Sequence, residues 1–145
     1  MPYFLCIFDF YDRLLYDSTI QININKGLYM KIKEKMDGDI AILTLKGDLI
    51  GEPDTTNIRD KIHSLVGDEV KKVIIDMGDV NFVNSSGLGT LIAALTTMKN
   101  AGGDLRLAQV GKRTQNLLTI THLVKVFNIY ETVDRAIASF KSKKK

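Results

Sequence analysis

The chain has 145 residues, 45% hydrophobic and 26% charged, which fits one domain with a core of its own. A single cysteine, Cys6, excludes an intrachain disulfide and a cysteine-rich metal site, and no apolar run approaches the ~20 residues that span a bilayer. The formal charge of +3 resides in Lys141, Lys143, Lys144 and Lys145, so the rest of the chain offers no basic face and nucleic-acid binding has no electrostatic support.

Residues 1–29 differ from the rest of the chain, holding seven of the eleven Phe and Tyr residues. They lack a basic start, and Asp9 and Asp12 interrupt the apolar run, so they make a poor signal peptide. The segment could add a strand or helix to the domain. The favoured reading is a leader outside it: Phe, Tyr, Ile, Asn and Lys have AT-rich codons, and Lys26-Gly27 could encode a ribosome-binding site just before Met30. The domain is expected to span 30–140, with 141–145 as a lysine-rich tail.

From Met30 the pattern becomes regular. Met30, Ile32, Glu34 and Met36 share one face of a predicted strand, and Lys31, Lys33 and Lys35 the other. Asp37-Gly38 makes a turn, and Ile40 to Leu45 returns as a second strand. Gly47 to Pro53 is expected as a loop. Pro53-Asp54-Thr55-Thr56 has helix-start chemistry, and Ile58, Ile62, Leu65 and Val66 then trace one apolar face up to Gly67-Asp68.

Val73-Ile74-Ile75 reads as a buried strand, followed by a polar loop from Asp76 to Asn84 with Phe82 and Val83 as its apolar foothold. Leu88, Leu91, Ile92, Leu95 and Met98 recur at helical spacing, and Asn100-Ala101-Gly102-Gly103 stops that helix. Leu105 to Val110 is the next strand, and Lys112 to Thr119 a brief helix with Leu117 and Leu118 inward. Val124 to Phe127 and Ile129-Tyr130 suggest a last extended segment. Thr132 caps a final helix through Val133, Ala136, Ile137 and Phe140. Alternating strands and helices predict a single α/β domain: a small mixed sheet of four to five strands, parallel after an opening hairpin, packed against about four helices.

The junction Asn84-Ser85-Ser86-Gly87-Leu88-Gly89 carries more special residues than a helix start needs. One side chain suffices to cap, and three are offered. Gly87 and Gly89 each cost ~1 kcal/mol relative to alanine in a helix. Two readings account for them: a tight strand–helix crossing, or bare backbone left open for another molecule.

No catalytic cluster accompanies the junction. Gly-x-Ser-x-Gly fails at Val83, no Gly-x4-Gly-Lys phosphate loop occurs, and Gly87-Leu88-Gly89 lacks the third glycine of a dinucleotide fingerprint, Ile92 standing there. His63 and His122 have no metal-ligand pattern. Asp48, Asp54 and Asp76 read as loop, cap and strand-end residues, with Asp76 and Asp79 able to line a pocket at the junction. An enzyme is not indicated and no cofactor is expected.

VIIDMGDVNFVNSSGLGTLIAAL resembles the signature of the anti-sigma factor antagonists, the bacterial STAS domains: hydrophobic strand, Asp, loop, Phe, then Asp-Ser-(Ser/Thr)-Gly-Leu-Gly. The resemblance covers Met30 to Phe140, and Asn84 stands where the family usually has aspartate. It implies a cytoplasmic protein-binding switch for transcription. The unmodified protein would bind an anti-sigma factor serine kinase and free a sigma factor; phosphorylation of Ser85 would release it, and a metal-dependent serine phosphatase would restore it. Asn84, Ser85, Ser86, Gly87, Leu88 and Gly89 would form the partner-binding site, with neither nucleic acid nor stable membrane association. The alternative is an accessory or scaffold STAS subunit of a signalling or lipid-transport complex, without serine phosphorylation.

Overall fold

The computed structural model describes residues 30–141; the leader 1–29 and most of the lysine-rich tail lie outside the described residues. Lys31–Asp37 (β1) and Ile40–Leu49 (β2) form the antiparallel hairpin, closed by the pair Asp37 and Ile40. The turn is therefore Gly38-Asp39, one residue later than expected, and Gly38 sits at φ +63°, where glycine meets no steric cost. Asp54–Gly67 (α1), Lys72–Val83 (β3), Ser85–Asn100 (α2), Asp104–Ala108 (β4), Lys112–Ile120 (α3), Asn128–Tyr130 (β5) and Val133–Lys141 (α4) complete the order.

The five strands lie in the order β1-β2-β3-β4-β5, and every pair after the hairpin is parallel. Strands buried on both faces read as unbroken apolar runs, and the inner halves of β2 and β3 do so for that reason. Ala41, Leu43, Val73 and Ile75 enter the main core with Ile58 and Ile62 of α1 and Leu91 and Leu95 of α2. Ile40, Ile42 and Ile74 face the other way, where Ala136 and Phe140 of α4 cover them. Arg106 of β4 is buried on that side too, its guanidinium carbon 4.0 Å from the Phe140 ring centre and its Nε donating to Asp104 at 3.1 Å.

Two strands run past their expected ends. β2 continues to Leu49, so the loop expected from Gly47 begins only at Ile50, and β3 continues from Ile75 to Val83 through the expected loop. The register between them shifts between Thr44 and Lys46 and again between Gly47 and Leu49. Beyond these bulges Met77, Val80 and Val83 are buried at every third position. The period-2 signal of a strand is erased there, and polar Asp76 to Asn81 then resembles a loop. Val83 is the expected foothold, but Phe82 is 43% exposed. β4 stops at Ala108, two residues short of Val110, because Gln109 turns to φ +57°. Val124 to Phe127 is not extended: Leu123–Lys125 forms a 3-10 turn and only Phe127 is buried there.

Candidate functional site

Asn84 joins β3 to α2 with extended backbone, φ −96° and ψ −173°, as suits the residue before a first helical turn. Its Oδ1 accepts the Gly87 N–H at 2.9 Å, and its Nδ2 donates to the Ile50 carbonyl at 3.0 Å. Its backbone N–H donates to the Leu49 carbonyl at 3.3 Å, and its own carbonyl accepts the Leu88 N–H at 2.9 Å. Of the three side chains able to cap α2, the fold uses Asn84. Ser85 and Ser86 take the first two helical positions, both exposed.

The two glycines have different reasons. A Cβ on Gly87 would lie 2.7 Å from Cγ of Leu49 and closer still to the Leu49 carbonyl oxygen. Only glycine lets the first turn of α2 sit against the end of β2, so Gly87 serves the tight crossing. Gly89 is exposed, with open space where a side chain would go. Leu88 is 5% exposed and belongs to the main core. Among the six residues expected to bind a partner, Ser85, Ser86 and Gly89 thus present surface, while Gly87 and Leu88 hold that surface in place.

Asn84 and Ser85 also form one wall of a groove of about 440 Å³. Its opposite wall is α3, through Arg113, Thr114 and Leu117. Phe82 and Ile120, 43% and 73% exposed, extend it as apolar surface. No carboxylate lines the groove, and Ser86 lies outside it.

The acidic residues near the junction do other work. Asp76 takes the Gly78 N–H at 3.0 Å and Nε2 of Gln109 at 2.7 Å, tying β3 to the end of β4; neither Asp76 nor exposed Asp79 lines the groove as expected. Asp48 is exposed within β2. Asp54 is buried and accepts the Met30 N–H at 3.1 Å; burial pushes its carboxyl above the usual carboxylate range, against the pull of that N–H. The start of α1 is held by Glu52, whose carboxylate accepts the hydroxyls of Thr55 and Thr56 and is thereby held below its ordinary pKa. Among the described residues no group of His, Cys, Asp and Glu could hold a metal ion, and no helix is long and apolar enough to cross a membrane.

Sequence reasoning missed Leu49, Ile50, Arg113, Thr114 and Ile120 as parts of the site. They reach Asn84 and Ser85 only through the folded chain, the Asn84–Ile50 bond spanning 34 residues, and no local periodicity reports such a contact.

A family model described as STAS domain matches residues 31–136. A relative from Thermotoga neapolitana, assigned as an anti-sigma factor antagonist, is 29% identical over 66 residues, covering 46% of this chain and only 58% of the relative's own length. Among solved structures, a protein of Thermotoga maritima assigned in the same way aligns with TM-score 0.70 at 21% identity, over 74% of this chain and 92% of its own. The Bacillus cell fate determinant SpoIIAA in its phosphorylated form aligns with TM-score 0.62 at 18% identity, over 76% of this chain and 99% of its own. The murine anion transporter Slc26a9 aligns with TM-score 0.68 at 16% identity, over 86% of this chain and 24% of its own. At such identities the structures share the fold with this chain.

Proposed function

The chain belongs to the STAS domain family, and from that membership we propose that it is an anti-sigma factor antagonist switched by phosphorylation of Ser85. In the unmodified form it binds an anti-sigma factor serine kinase and leaves a sigma factor free for transcription. The kinase brings ATP and magnesium. The Ser85 Oγ attacks the γ-phosphorus, the bond to the β-bridging oxygen breaks, ADP leaves with that electron pair, and the hydroxyl proton passes to a base of the kinase. A metal-dependent phosphatase reverses the modification by hydrolysis. The chain itself acts by binding, in the cytoplasm, without a cofactor.

The observation that carries this reading is the uncommitted, exposed hydroxyl of Ser85 beside a helix start that Asn84 already caps. A phosphoryl group adds roughly −1.5 to −2 charges at neutral pH. At the N-terminus of α2 the backbone N–H groups and the helix dipole favour that charge, so the fold persists. A partner resting on Ser85, Ser86, Gly89 and the apolar Phe82 and Ile120 would meet a dianion where it needs dry contact. Binding is lost by local electrostatics, with no long-range rearrangement.

Incubation with the cognate kinase and ATP, followed by phosphosite mapping and a partner-binding titration, tests the proposal. The expected result is one phosphate on Ser85 and weakened binding. Phosphate on Ser86 alone moves the site. No phosphate, together with undiminished binding by Ser85→Asp, replaces this reading with the accessory-subunit one, which the asparagine at position 84 and the transporter that shares the fold favour.

A further inference from the structure

We propose that the groove between α2 and α3 is a built-in receptor for the phosphoryl group on Ser85, with Arg113 and Thr114 as its protein partners; this rests on Ser85 being the modified residue. The groove holds one charged side chain, the Arg113 guanidinium, which makes no ion pair among the described residues. α3 starts badly by the ordinary rules. Its preceding residue, Gly111, has no side chain to cap it, its first turn carries no acid, and Lys112 and Arg113 place positive charge at the positive end of the helix dipole. An anion in the groove would satisfy both the dipole and the guanidinium.

Thr114 supplies an independent sign. It is only 4% exposed yet lines the groove, and its hydroxyl makes no hydrogen bond among the described residues. No described side-chain nitrogen or oxygen is both sealed from solvent and unpaired, so that hydroxyl opens to the groove as a waiting donor. The opposite wall offers Ser85 at the first position of α2, while Ser86 lies outside the groove. A phosphate on Ser85 therefore faces two helix N-termini, a guanidinium and the unbonded Thr114 hydroxyl, with no carboxylate to repel it. Seated there, it also plugs the cleft between Phe82 and Ile120. Modification then removes the apolar seat for a partner as well as adding charge.

The test uses full-length protein with phosphoserine installed at position 85 during translation, so no kinase is needed. Phosphorus NMR follows the second ionisation of the phosphate, ordinarily near 6. In the wild-type background that ionisation should fall about one unit or more below its value in Arg113→Gln, the shift expected of an opposite charge within a few ångströms. Arg113→Lys should retain part of the shift, and Thr114→Val, checked for native circular dichroism, should lose a smaller part. Identical titrations in wild type and Arg113→Gln overturn the proposal. Inorganic phosphate that binds the unmodified protein weakly, at millimolar concentration, and loses that binding in Arg113→Gln would support the same groove as the receptor. If the NMR shift is seen but the kinase leaves Ser85 bare, the receptor stands and the functional reading fails.

Discussion

The side-chain amide of Asn84 donates to the carbonyl of Ile50 at 3.0 Å while its oxygen caps α2 through Gly87. One residue thus ties the exit of β2 to the start of the helix that presents Ser85. An asparagine can do both because it carries a donor and an acceptor; an aspartate can only accept. Where the related motif has aspartate, this chain has a residue with an added structural task.

Asn84→Asp should therefore keep the cap, lose the tie to Ile50, and set a carboxylate against a carbonyl oxygen. The expected cost is about 1–2 kcal/mol, and Asn84→Ala, losing cap and tie together, should cost about 2–3 kcal/mol. Urea denaturation measures both. An Asn84→Asp protein as stable as wild type would show that the Ile50 bond contributes nothing.

The glycines should part company on substitution. Gly87→Ala forces a methyl group into Leu49 and should destabilise by about 3 kcal/mol or more, since the obstruction includes backbone. Gly89→Ala meets open space in a helix and should stabilise by up to about 1 kcal/mol. Parallel denaturation curves decide the matter, and equal costs at the two sites would refute the crossing geometry.

Ser85→Ala should change stability by no more than about 0.5 kcal/mol, because the cap is on Asn84. It should bind the proposed kinase constitutively and take up no phosphate. Ser85→Asp should remain folded, a carboxylate being favourable at a helix N-terminus, and bind more weakly. Isothermal titration against the kinase, with thermal melts alongside, checks each statement.

The local chemistry of this junction was legible in the sequence, since capping residues and glycines mark a helix start wherever they occur together. The stripe from Leu88 to Met98 and the hairpin at Gly38 were legible for the same reason: periodicity and turn preference are local. The outer half of β3 was not. Its bulged pairing with β2 buries every third residue and leaves Phe82 outside, a pattern that belongs to the pair of strands rather than to either one. The wall formed by Arg113 and Thr114 was invisible because α3 reaches Ser85 only in the folded chain.

Asp54 should impose a pH dependence of its own. Burial raises its folded pKa above the unfolded value, so the protonated form is favoured by folding. Its contribution is most favourable below the ordinary aspartate pKa and declines as pH rises through the raised folded value. Compared with Asp54→Asn, wild type should lose stability across that window on going from acid toward neutral pH. Unfolding free energies of both proteins, measured at intervals between those limits, supply the difference, and parallel curves would remove the assignment.

A chain begun at Met30 should fold and bind as the full chain does, in keeping with the proposal that 1–29 stand outside the domain. It would also place an α-ammonium 3.1 Å from the Asp54 carboxylate, where the full chain has a peptide N–H. The added charge should lower the Asp54 pKa and flatten or reverse its pH slope. Loss of more than ~3 kcal/mol on truncation, the scale of a large buried aromatic, would place the leader in the core.

Among the described residues the sheet ends in β1 on one side and the three-residue β5 on the other. An unpaired strand border is a template on which a second copy can add, and long flat borders seed aggregates. β1 carries Lys31, Lys33 and Lys35, all exposed, at every second position, so a copy laid alongside would bring like charges together. β5 is too short to recruit much of anything. On the proposed reading, a protein captured and released by a partner is thereby kept from capturing itself, and neutral replacements at the three lysines should raise its tendency to aggregate, seen as turbidity that grows with concentration.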